Sequence, residues 1–247
     1  MKHFICLVTL LLSGLCQAQE WSVYTHSMGN QSVLQDGQLR GREHAGKRAF
    51  YLELVHLLLA DLGTPLPIRE VPLARGLAQL KKHSNVVLFN LSQTPERQAL
   101  AHWIGPLLTE TDYLYESSLR PTGIHTLKDG QNLAVCVLNG GNHDEQLSKA
   151  GFTQLIRNSS YSNCWRMLAA GRVALIASAD AELVQTLLDA HLQAREVQPT
   201  AVILGHDEGY IALSRGMPAQ QVAQWRAALQ RIRADGRFEK LYARYAQ

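Results

Sequence analysis

The sequence carries little charge, few cysteines and none of the short motifs that mark metal, phosphate or nucleophile chemistry. Charged residues are 18% of the 247, and the formal net charge is only +3. No block of basic residues occurs, so no nucleic-acid partner is expected. The ten histidines are scattered, with no H-E-x-x-H and no C-x-x-C, which leaves no metal site to expect. No G-x-S-x-G marks a nucleophile elbow, and no G-K-[ST] closes a phosphate loop. No catalytic set and no resident cofactor are therefore expected. Beyond residue 18 no apolar run is long enough to span a membrane. Internal repeats and low-complexity linkers are absent.

What is present is a globular composition, 46% hydrophobic, in a chain long enough for a substantial core. Residues 1–18 read as a secretory signal: a basic start at Lys2 and His3, an apolar stretch over 4–12, and small residues before a cut after Ala18. Lipidation of Cys16 is the competing reading, although Leu15 stands where that motif wants a small residue. Export to the periplasm as a soluble monomer is the expectation. Cys6 and Cys16 leave with the signal, so Cys136 and Cys164 remain. An even number of cysteines in an oxidising compartment suggests a disulfide. Two buried free thiols are the alternative.

Apolar periodicity predicts strands over 21–26, 67–71, 86–89, 113–118, 133–138, 152–156, 172–177 and 210–213. It predicts helices over 50–62, 73–82, 144–150, 162–170, 181–192, 217–234 and 238–245. Alternating strands and helices argue an α/β fold with parallel sheets. The basic run 42–48 and the segment His143-Asp144-Glu145 read as exposed helix entries.

Residues 88–107, LFNLSQTPERQALAHWIGPL, organise the rest. A buried strand runs into polar residues and then a predicted helix start, with Thr94 as N-cap, Pro95 at the first helical position and Glu96 in the first turn. Arg97 is out of place there. A cation at the positive end of a helix dipole costs about 0.3–1 kcal/mol, and a bound anion would offset it. An Arg turned back to Glu96 or out to water is the structural alternative. A second loop, Asn139-Gly140-Gly141-Asn142, follows a strand and precedes a helix, so its backbone N–H groups can approach a ligand.

The order strand, polar loop, T-P-E-R, W-I-G-P-L resembles the type II periplasmic solute-binding proteins of the polar amino acid branch. The runs M-L-A-A-G-R-V and R-A-D-G-R-F-E-K-L-Y-A-R-Y resemble that family as well. The resemblance covers nearly all of the chain after residue 18. It implies two Rossmann-like α/β lobes joined by two crossing strands, with lobe 1 over 19–111 plus 207–247 and lobe 2 over 112–206. It implies that Arg97 grips a ligand carboxylate with help from Asn90 and Ser92, and that Gly141 and Asn142 donate from lobe 2. Arg75, in V-P-L-A-R-G-L, would face the same cleft, with a surface role as the alternative. The family's ammonium-binding Asp aligns with Ala179, which leaves Asp180 one residue late. Asp180 then either shifts into place or caps a helix. Met28 and Asn30 stand where family members often carry an aromatic, and Leu73 replaces a Trp. The implied function is capture of an amino acid or related carboxylate for an ABC-transporter permease or a membrane sensor. An enzyme like the cyclohexadienyl dehydratases is the alternative on the same fold, with Glu182, Asp180 or Asp207 as the acid. A sensory or partner-binding module without transport is a third reading.

Overall fold

The computed structural model describes residues 21–246; the expected export signal and Cys16 lie outside them. The chain runs β1 (Ser22–Thr25), β2 (Ser32–Gln35), β3 (Gln38–Gly41), α1 (Lys47–Asp61), β4 (Ile68–Glu70), α2 (Leu73–Lys82), β5 (Val86–Ser92), β6 (Ala101–Ile104) and β7 (Thr109–Ser117). It continues through α3 (Leu127–Gly130), β8 (Val135–Leu138), α4 (Asn142–Lys149), β9 (Leu155–Asn158), α5 (Tyr161–Ala169), β10 (Leu175–Ala179), α6 (Asp180–Ala190), β11 (Val197–Ser214), α7 (Ala219–Ala234) and α8 (Arg237–Tyr245).

The expected α/β architecture of two lobes and two crossing strands is the one observed. In the first lobe β1 pairs in parallel with both β4 and β5. In the second, β8 pairs in parallel with β9 and β10. The long strand β11 links them: its C-terminal part runs antiparallel to β5 and β6, and its N-terminal part antiparallel to β7. The two crossings lie side by side, with Thr109 opposite Glu208 and Asp112 opposite Gly205.

The central strands β5, β8 and β10 are apolar on both faces because each faces two cores. Along β5, Val87 and Phe89 enter the core under α1, α7 and α8, while Val86, Leu88 and Leu91 enter the core beside α2. Along β8, Val135 and Val137 face one second-lobe core, and Cys136 faces the other with Trp165 and Leu168 of α5. A disulfide joins Cys136 to Cys164 there, with the Cα atoms 5.5 Å apart.

Three local expectations are corrected. No α-helix follows Thr94: residues 95–97 form a turn closed by Arg97 N–H on the Thr94 carbonyl, a single 3-10 turn covers Gln98–Leu100, and the chain then enters β6, whose Ala101 and Ile104 are buried against β11. The helix-dipole argument for an anion at Arg97 therefore does not apply. The basic entry to α1 is buried at Lys47 and Arg48, and His143 and Asp144 at the start of α4 are buried too. Residues 205–209, which fall outside the strand predicted over 210–213, are part of β11, where backbone pairing with β7 overrides the side chains' preference for a loop.

Candidate functional site

Parallel strands leave their C-terminal ends facing the crevice between the lobes, where ligands of open α/β sheets bind. His26 follows β1, Asn90 and Ser92 close β5, Gly141 to His143 follow β8, and Ala179 ends β10. All of these line one small interlobe cavity with Lys47, Arg48, Arg97, Glu110, Tyr161 and Glu182. Its open space is about 40 Å³, room for a few waters.

Side chains fill the rest. From the first lobe, Arg48 Nε donates to Glu182 Oε2 of α6 at 2.8 Å, and Lys47 lies 3.4 Å from Glu182 Oε1 and pairs closely with Glu110. Gln31 Nε2 also donates to Glu182, and the Arg48 guanidinium lies over the Tyr161 ring. Burial alone would raise the Glu182 carboxyl; Arg48, then Lys47, overcome it and hold the group below its ordinary range. Burial likewise opposes the Lys47 charge, but Glu110 and Glu182 raise its pKa. Both cations are thus held charged by carboxylates of this chain.

Asn90 reaches the cavity through a bulge. Phe89 faces Ile211 and Leu91 faces Tyr210, so Asn90 is the unpaired extra residue, with φ at +64°. Asn tolerates that left-handed conformation better than most side chains. Its carbonyl accepts from His26 Nε2 at 2.9 Å, and its amide donates to Thr25 Oγ1 at 2.8 Å, which leaves Oδ1 buried without a partner. Burial, then Arg48, push His26 down to about 3, so this imidazole is neutral.

Ser92 and Asn142 both donate to Asp207 Oδ2 of β11, Asn142 at 3.0 Å. Burial raises the Asp207 carboxyl although the Ser92 hydrogen bond opposes it. Behind Asn142, His143 Nε2 lies 3.0 Å from Asp112; burial opposes its charge, but Asp112 wins and raises its pKa. Arg97 is buried at the cavity wall, paired with Glu145 of α4 and with the Gly140 carbonyl.

Of the expected ligand residues, Arg97, Asn90, Ser92, Gly141 and Asn142 therefore converge on one cavity. Arg75 and Asp180 do not line it. Arg75 is exposed on α2, because Leu73, Gly76 and Leu80 form that helix's buried face. Asp180 is the first residue of α6 and not its cap, which is Ala179; its Oδ1 accepts from the backbone N–H groups of Thr111 on β7 and Ala181 at 3.0 and 2.7 Å, so the expected capping role is corrected as well. Lys47, Arg48, Glu110 and His26 were not singled out from the sequence. One signal was available for the first two: cations in the first turn of an apolar helix call for a nearby anion.

Two larger spaces flank the cavity. One, about 360 Å³, lies between Gly29, Glu70 and Pro72 on one side and Ser160, Tyr161 and Asp189 on the other. The second, about 380 Å³, lies between Thr94 and Glu96 and the crossing-strand residues His206 and Asp207. Among the described residues no group of three or more His, Cys, Asp or Glu is placed to hold a metal ion, and no helix is long and apolar enough to cross a membrane.

No family model matches the chain, and no curated protein matches it in sequence. Solved structures do match its fold. A histidine kinase sensor domain with similarity to periplasmic binding proteins superposes with a TM-score of 0.76 at 17% identity, over 91% of this chain and 95% of that one. A mutant of the arginine-binding protein ArgBP from T. maritima gives 0.75 at 15% identity, over 90% and 93%. An amino acid ABC transporter substrate-binding protein from Streptococcus pneumoniae, bound to L-arginine, gives 0.71 at 15% identity, over 90% and 92%. At these identities the likeness establishes architecture alone: the chain has the two-lobed α/β fold of the type II periplasmic binding proteins.

Proposed function

We propose that this chain is a periplasmic receptor that closes two lobes on a small carboxylate, most simply an amino acid or a derivative, and presents the closed form to an ABC-transporter permease or a membrane sensor. The observation that carries the reading is the convergence of Arg97, Asn90, Ser92, Gly141 and Asn142, from both lobes, on one interlobe cavity. Arg97 takes the ligand carboxylate, and the 140–142 loop closes on it from the second lobe. Ligand pockets are usually about 300–1,000 Å³, so the narrow cavity belongs to a closed form and a ligand enters by opening. The hinge is the paired crossing at 109–112 and 205–208, with lobe 1 over 19–111 plus 207–247 and lobe 2 over 112–206. Export with a cut after Ala18, as a monomer, fits this role. Several structural neighbours are amino acid-binding proteins, which supports the ligand class.

A second reading keeps the fold and adds catalysis. One neighbour is an ancestral amino acid-binding protein that preceded a cyclohexadienyl dehydratase. Such chemistry needs a protonated acid over the leaving hydroxyl. Glu182, held ionised by Arg48 and Lys47, is a poor one; Asp207, raised by burial, is the better candidate. The test is a thermal-shift screen of amino acids and small carboxylates, run beside an assay of prephenate turnover. The receptor reading expects a saturable shift with a carboxylate and no turnover. Prephenate turnover would replace it with the enzyme, and a screen in which nothing shifts would replace it with a partner-binding module.

A further inference from the structure

The carboxylate that Arg97 holds is supplied by the chain itself. Arg97 Nε lies 3.1 Å from both Glu145 oxygens, and Nη2 lies 2.9 Å from Oε1, the two-donor face a ligand carboxylate would take. Thr94 Oγ1 reaches the same carboxylate at 3.4 Å. One turn along α4, Lys149 pairs with Glu96. The second lobe thus offers an acid and a base four residues apart to a base and an acid of the first lobe, with matching signs.

The two partners of the central pair differ in access. The Arg97 side chain is 4% exposed and that of Glu145 is 31% exposed. A buried guanidinium needs an anion beside it at all times. A carboxylate at the rim recovers its hydration when it leaves, and pairs of that kind are weak. Exchange at this site therefore moves the carboxylate and leaves the guanidinium in place. The neighbouring cation Arg48 offers no such exchange, because Glu182 is only 3% exposed and has three first-lobe partners.

We infer that Glu145 is an internal competitor: it occupies Arg97 in the empty protein, swings to water when a ligand carboxylate arrives, and so sets the receptor's affinity. The inference rests on Arg97 being the ligand's cation, as proposed above. Pairing with Glu145 and capture of a ligand at Arg97 are mutually exclusive. The empty form is latched by the same guanidinium that the ligand needs.

The test compares wild type with Glu145→Gln and Glu145→Ala. Arginine modification by phenylglyoxal, mapped to Arg97 by peptide mass spectrometry, reads the pair without any ligand. Calorimetric titration with L-arginine, L-glutamine and succinate reads the competition. The expected result is labelling of Arg97 at least tenfold faster in both variants, with half-saturation by the best-bound probe at a concentration at least tenfold lower. Unchanged labelling overturns the inference. So does a half-saturation that stays the same or rises, which would make Glu145 a residue that orients Arg97. Faster labelling with no probe bound by any of the three proteins sustains the exchangeable pair and counts against the carboxylate receptor instead.

Discussion

Replacing Glu182 by Gln removes one charge from the middle of the interlobe network. In the native protein this carboxylate is 3% exposed, with Arg48 Nε at 2.8 Å, Lys47 Nζ at 3.4 Å and Gln31 Nε2 at 3.4 Å. Gln keeps the shape and one carbonyl acceptor, but it leaves two buried cations to share Glu110. Removing one member of a buried ion pair costs about 3–5 kcal/mol. Lys47 retains Glu110, which places the loss at the lower end, about 3 kcal/mol. A protein of this size loses about 2–4 °C per kcal/mol, so Tm should fall by roughly 6–12 °C. Calorimetry and urea unfolding at pH 7 measure it. The pH dependence has a definite sign. Because Arg48 and Lys47 depress the folded-state pKa against the pull of burial, the Glu182 contribution is present above its ordinary value of 4.5 and is lost as pH falls below it. The gap between wild type and variant should therefore shrink in acid. A loss under about 1 kcal/mol at pH 7 is the value for solvated surface pairs and would refute the claim that this network is a buried one.

Other outcomes follow from the same structure. Reducing the Cys136–Cys164 bond opens a loop with a sequence separation of 28 and should cost about 3–4 kcal/mol by the chain-entropy estimate, read as a lower urea midpoint with dithiothreitol. In an NMR titration the His26 imidazole, pushed down to about 3 by burial and Arg48, should stay neutral from pH 5 to 8, whereas His143 should titrate above 6.5. Since Asp112 raises His143, their pair contributes fully below pH 6.5 and fades as pH rises through the folded-state value. Asp112→Asn should thus cost more at pH 6 than at pH 9, and equal losses would remove that pair from the account. Gly209→Ala sets a methyl against the Tyr51 hydroxyl and should cost about 1–3 kcal/mol, partly recovered by adding Tyr51→Phe.

The lobes were legible because their central strands are apolar on both faces and their helices are punctuated by Gly and Pro, as at Gly63 and Pro72. That two strands cross between the lobes was legible, but the form of the crossings was not. Residues 205–209 look like a loop, and only the partner strand β7 makes them part of β11. The T-P-E-R segment misled for a related reason: its capping residues suit a helix, but Ala101 and Ile104 gain more as a strand against β11. At the site, Asn90, Ser92, Arg97, Gly141 and Asn142, which the family resemblance singles out, come together at one cavity. Glu145, Glu182 and Lys47 were not assigned their places. Their roles depend on which charge of one lobe meets which charge of the other, and sequence spacing carries no record of that.

The most direct measurement is a calorimetric titration of wild type and Arg97→Ala with the carboxylate that gives the largest thermal shift. The account predicts saturable heat with wild type and none with Arg97→Ala, while both unfold as ordered proteins. Equal binding by the two would contradict it, since among the described residues the other cations lining the cavity, Lys47 and Arg48, are each paired with a buried carboxylate.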